Sequence, residues 1–268
     1  MIEPSRGLAD FNLKEIWDYR DLMFFLAWRD INIRYKQTVL GAAWAVVQPV
    51  LTMILFTIFF GRMAGIPSEG APYPLFAFAA LLPWQYFATT LGNAANSLVN
   101  NSNLLSKVYF PRLLIPLTSL FPPAVDFMIA FIVLIGLMFY YRWAPTLNVI
   151  WLPAFLLLAM VTTLGAGLWF AAMNVKYRDV RHIVGVLIQF GMFVSPVAYP
   201  SRIVPMPWLQ LYALNPMVGV IEGFRWALLG TSAAPLRLIA ISSLAALVLF
   251  VSGLYYFRYT EKTFADVI

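Results

Sequence analysis

Cysteine is absent from this 268-residue chain, and histidine occurs once, as His182. The first absence excludes disulfide staples, thiol nucleophiles and thiolate metal sites. The second leaves one imidazole among charged residues, where a loop or interface position is expected rather than a catalytic one. Charge is scarce too: Asp, Glu, Lys and Arg make up 11% of residues, against about 25% in ordinary soluble domains. There is no Gly-rich phosphate loop, no Gly-Lys pair, no GxSxG elbow and no HExxH pair. The chain therefore lacks a nucleotide-hydrolysing motif, and no cofactor or metal of its own is expected.

Apolar residues fill the space, at 62% of the chain. A soluble fold of this size could not hide that much apolar surface, whereas a bilayer accepts it. The formal charge is +6, but the Lys and Arg residues fall between apolar runs instead of gathering on one polar surface. Nucleic-acid binding is not expected.

The first thirty residues mix acidic and basic side chains, with no basic start leading into a short apolar run, so a signal peptide is not expected. Residues 11–34 have helical periodicity, interrupted too often by charge for a span. They suit an amphipathic helix at the membrane interface or, alternatively, a helix packed on a partner protein. Apolar runs near 39–60, 73–96, 113–140, 149–173, 183–199 and 236–257 predict six transmembrane helices. Pro49 and Pro83 should bend the first two. Residues 201–235 are rich in proline, and 217–229 is apolar but short and charged, so a re-entrant pair of outer helices is predicted there. The fold class is thus all-α and membrane-embedded, with an interface region over 1–35 and a six-helix domain over 36–268.

Basic residues set the orientation. The predicted inner segments hold Arg6, Lys14, Arg20, Arg29, Arg34, Lys36, Lys107, Arg112, Lys176, Arg178, Arg181, Arg258 and Lys262; the outer ones hold Arg62, Arg142, Arg202, Arg225 and Arg237. The positive-inside rule then gives N-in, C-in. Tryptophans such as Trp44, Trp84, Trp143 and Trp226 are expected near span ends as interfacial anchors. Asp126 is the one acidic residue deep in a predicted span, open to a proton or ion relay or to structural pairing. Glu222 and Arg225, at i and i+3, are expected either to pair or to line an outer channel gate. Gly219 and Gly223 form a small-xxx-small pair suited to close helix approach, including approach across a two-fold axis.

Several stretches together resemble one family. These are IRYKQTVLGAAWAVVQPV at 33–50, LLPWQYF at 81–87, NNSNLLSKVYFPRLLIPL at 100–117, NVKYRDVRHIVG at 174–185, SPVAYP at 195–200 and LNPMVGVIEGFRWALLG at 214–230. In that order they resemble the permease subunits of ABC-2 type exporters of O-antigen, capsular polysaccharide or teichoic acid. The resemblance implies a transporter subunit, not an enzyme, in a bacterial cytoplasmic (inner) membrane. Its partners would be a second copy of itself and two copies of a nucleotide-binding ATPase, which would hold the ATP and Mg. The substrate would be a lipid-linked glycan; a drug or lipid exporter permease is the alternative on the same scaffold. The resemblance places ATPase coupling in a loop at about 98–112, with Leu104, Lys107, Tyr109, Phe110 and Arg112. Arg29, Arg34, Lys36 and Arg181 would receive a lipid diphosphate or serve at the interface. Residues 201–235, with Glu222 and Arg225, would shape the channel exit.

Overall fold

The computed structural model describes residues 13–36, 41–230, 234–262 and 264. All regular structure among them is helical. Two helices, α1 (Leu13–Asp18) and α2 (Arg20–Lys36), lead to α3 (Gly41–Phe56), which continues as a π-helical turn over Thr57–Met63. Then follow α4 (Tyr73–Asn100), the short α5 (Ser102–Lys107) and α6 (Leu114–Thr118), and α7 (Phe121–Tyr140). After a 3₁₀ turn at Leu147–Trp151 come α8 (Leu152–Lys176) and α9 (Val180–Val194). The chain ends through α10 (Trp208–Tyr212), α11 (Pro216–Leu229) and α12 (Leu236–Glu261).

Five of these stretches are long and apolar enough to cross a bilayer: Ala43–Met63, Tyr73–Asn100, Leu114–Tyr140, Leu147–Lys176 and Leu236–Glu261. The chain is therefore a multi-pass helical membrane protein. The predicted fifth span is the 15-residue α9. At 1.5 Å per residue it covers about 22 Å of a roughly 30 Å hydrocarbon core.

The bundle is built around α4. Every residue from Leu75 to Trp84 is buried, and α4 packs on α8, α7, α11 and α3. Trp84, expected as an interfacial anchor, is only 4% exposed. It lies eleven residues into α4, about 16 Å along the axis, and serves as core. α8 and α12 cross closely at their glycines. A Cβ on Gly165 would sit 2.7 Å from the Phe250 Cα, and one on Gly253 would run into the Gly165 carbonyl oxygen. Without a hydrophobic drive between helices in lipid, such small residues let backbones approach and gain dispersion contacts.

Local sequence sets the ends of α11. The Asn215 side chain accepts from the Met217 N–H at 3.1 Å, Pro216 occupies the first turn, and Gly230 closes the helix at φ 63°. The helix is buried on nearly all sides, against α4, α8 and α12. Gly219 faces Ser242 of α12, and Gly223 faces the Phe155 ring of α8. The small-xxx-small pair is thus used within the chain, not across a two-fold axis.

Candidate functional site

Three groups of side chains single themselves out. The first is the connection between α4 and α6, at the end of the bundle that also carries α2. There Leu98, Phe110, Leu113, Leu114, Phe257 and Phe264 form a separate apolar core, with Leu104 packed against it half-buried. Arg112 donates to the Glu261 carbonyl oxygen and stands over the Phe264 ring, 5.9 Å from its centroid. Phe110 and Arg112 thus hold the connection in place, while Lys107, Val108 and Tyr109 project from it; Tyr109 is 78% exposed. Val108 was not among the residues expected here, and nothing in its local pattern marks it.

The second group is the basic set. Arg29 bonds Asp30 and also the Asn101 side-chain oxygen, each at 2.9 Å. Arg34 pairs with Asp126 at 2.5 Å, and the Tyr35 hydroxyl donates to the same carboxylate at 2.5 Å. Asp126 is therefore structurally paired and ties the end of α2 to α7. Burial, and next the bond to Asp126, push the Tyr35 phenol well above its usual range, so it stays a proton donor at neutral pH. Lys36 is exposed at the end of α2. Arg181 is exposed on α9, which packs on α4 and α8. Arg29 and Arg34 are brought together at one cleft, and Arg181 stands on a different element.

That cleft holds about 510 Å³ and is lined by Arg29, Asp30, Arg34, Asn93, Asn100 and Asn101 among others. A second, narrower cavity of about 60 Å³ shares Arg34 and runs on past Gln48, Gln85, Thr89 and Asp126.

The third group is Glu222 with Arg225, 3.3 Å apart on α11. Arg225 is 2% exposed. It donates to the carbonyls of Val197 at 2.7 Å, Tyr199 at 3.1 Å and Phe76 at 3.4 Å, and its guanidinium lies 3.5 Å from the Phe76 ring centroid. Glu222 accepts from the Ser201 N–H at 3.1 Å. The pair is buried inside the protomer, where it pins the irregular segment 195–201 onto α4 and α11. Tyr73 donates to the Ala198 carbonyl at 2.6 Å and Arg202 pairs with Glu69 at 3.3 Å, closing the same end of the bundle. Among the described residues no cluster of His, Asp or Glu could hold a metal.

Comparison with known proteins places this architecture. Residues 21–229 match the ABC-2 type transporter family. The O-antigen export system permease protein RfbA of Myxococcus xanthus is 31% identical over 80% of this chain and 82% of its own length. A protein of the same name from Klebsiella pneumoniae is 26% identical over 92% and 95% of the two chains. The polysialic acid transport protein KpsM of Escherichia coli is 21% identical over 75% and 78%. With a match that takes in α2, four of the five long apolar helices and the buried α11, the chain belongs to the ABC-2 type transporter family.

Proposed function

We propose that this chain is the membrane permease subunit of an ATP-binding-cassette exporter for polysaccharide, moving a lipid-linked glycan outward across the bacterial cytoplasmic membrane. One observation carries the reading: relatives named for O-antigen export and polysialic acid transport align over three quarters or more of the chain. The absence of a phosphate loop in this sequence assigns ATP and Mg to a separate ATPase chain. Two permease copies and two ATPase copies make the working unit. In this arrangement α9 is the fifth of six spans, both described ends lie inside, and α10 with α11 form the outer re-entrant pair. The exposed apolar side chains of α9, including Leu187, Phe190 and Phe193, then suit a second copy of the chain or lipid.

The exposed Lys107, Val108 and Tyr109 form the contact with the ATPase. The core beneath them makes the connection rigid enough to pass on a push, and closure of the ATP-bound partner biases two states of the bundle if one binds ATP better. Lys36 and Arg181 remain open to a lipid diphosphate, while Arg34 acts through its Asp126 pair. Lys107→Glu should leave the membrane level of the protein unchanged and cut both co-purified ATPase and export several-fold. Unchanged recovery of the complex together with unchanged export would remove Lys107 from that role.

The reading is tested by depleting the protein in its native host and quantifying lipid-linked glycan on each side of the cytoplasmic membrane. Accumulation inside with loss of surface polymer is the expected result. Normal glycan on both sides would move the substrate to a drug or lipid.

A further inference from the structure

In a membrane span, polar side chains with no partner are costly, because hydrocarbon offers no hydrogen bonds. α4 carries several of them. Gln85, Thr89 and Asn93 follow one another at four-residue spacing, with Asn100 seven residues further on, so they share one side of the helix. None of these four side chains makes a hydrogen bond among the described residues, and neither does Gln48 of α3, which faces Gln85 and Thr89 across the narrow cavity. All are half-buried or exposed rather than sealed in the core. From Gln85 to Asn100 the stripe runs about 22 Å, more than half of the hydrocarbon thickness.

Elsewhere, away from the helix ends, the exposed surface of the long helices is apolar, as at Ile132 of α7 and Val248 of α12. The polar stripe is therefore unsuited to lipid. Its two cavities meet at Arg34, whose pair with Asp126 stands between the wide cleft on the Asn93–Asn100 side and the narrow space beside Gln85.

We infer that this face of α4 lines a water-filled path for a hydroxyl-rich solute, and that the Arg34–Asp126 pair is the partition closing it partway through the membrane. The inference rests on the polysaccharide reading for the solute alone. Amide and hydroxyl side chains without internal partners can exchange hydrogen bonds with water or with successive sugar hydroxyls while making no strong, fixed contact. That suits a polymer that must keep moving. The partition sits where α2 meets α7, so displacement of the interface helix would open it.

The cysteine-free chain makes the test direct. Single substitutions Thr89→Cys, Asn93→Cys and Asn100→Cys, with Ile132→Cys and Val248→Cys as lipid-facing controls, are introduced into the full transporter with its ATPase. Inside-out vesicles are then treated with a membrane-impermeant thiol reagent, which needs a hydrated thiolate. Asn93→Cys and Asn100→Cys should react at least about tenfold faster than the controls. Thr89→Cys should react slowly until Asp126→Asn or Arg34→Ala is added, and then approach the rate at Asn93. Labelling at Asn100 alone, with Asn93 and Thr89 silent in every background, would overturn the path. Fast labelling at Thr89 with the Arg34–Asp126 pair intact would overturn the partition. The reaction needs no substrate, so a labelled stripe in a host whose glycan ignores depletion of the protein would overturn the polysaccharide reading and leave the path standing.

Discussion

Replacing Gly253 with leucine should leave almost no folded protein in the membrane. A side chain there meets the Gly165 carbonyl oxygen, and one at Gly165 meets the Phe250 backbone at 2.7 Å. Neither obstacle is a flexible side-chain tip that could swing aside, so α8 and α12 would have to separate. Overpacking a core usually costs about 1–3 kcal/mol. A clash with backbone belongs with the exceptional substitutions above about 4 kcal/mol, a large part of a total stability of roughly 5–15 kcal/mol. The check is the yield and monodispersity of the detergent-extracted protein, with Gly136→Leu as control, because nothing lies within 4 Å of a Cβ at Gly136. A full-height monodisperse peak for Gly253→Leu would refute the close crossing.

The second large effect is expected at Arg225. Arg225→Met strips the donors from the Val197, Tyr199 and Phe76 carbonyls and leaves Glu222 without its countercharge. Breaking one side of a buried pair costs about 3–5 kcal/mol, and the protein should extract poorly and export little. From sequence alone the double removal is expected to be milder than either single change if the two residues are mainly a pair. The geometry separates the two partners instead. Glu222→Gln keeps an acceptor for the Ser201 N–H and should be the mildest of the three. The double variant should fall between, because removing Glu222 cancels the stranded charge but not the three stranded carbonyls. Thermal melting of the three purified variants gives the order; a double variant as stable as Glu222→Gln would mean the carbonyls find other donors.

The long helices were legible because hydropathy alone fixes them. The stretches expected near 73–96, 113–140, 149–173 and 236–257 are found at Tyr73–Asn100, Leu114–Tyr140, Leu147–Lys176 and Leu236–Glu261. The extra residues lie at the ends carrying Asn100, Lys176 and Glu261, where polar residues continue a helix past the apolar run. α11 was legible as the short apolar run 217–229, and its ends are set by Asn215-Pro216 and Gly230. Pairings between distant residues were not legible. Asp126 lies more than ninety positions from Tyr35, and no local pattern announces that one carboxylate takes both Arg34 and Tyr35. Gly165 and Gly253 were invisible for the same reason, each being a glycine in an apolar run whose partner lies on another helix. The polar stripe of α4 was readable in principle. Polar side chains recurring every four residues in a span, as at Gln85, Thr89 and Asn93, are a periodic signal, though the cavity Gln85 and Thr89 share with Gln48 appears only in three dimensions.

The tail beyond the last long helix has a practical consequence. Phe264 is buried against Phe257 and beneath Arg112, while Arg112 also holds the Glu261 carbonyl. The connection between α4 and α6 and the end of α12 are therefore one mechanical piece. On the proposed ATPase contact at Lys107, Val108 and Tyr109, a fluorophore carried at Lys262 should follow each stroke from outside that contact, giving a turnover-by-turnover readout.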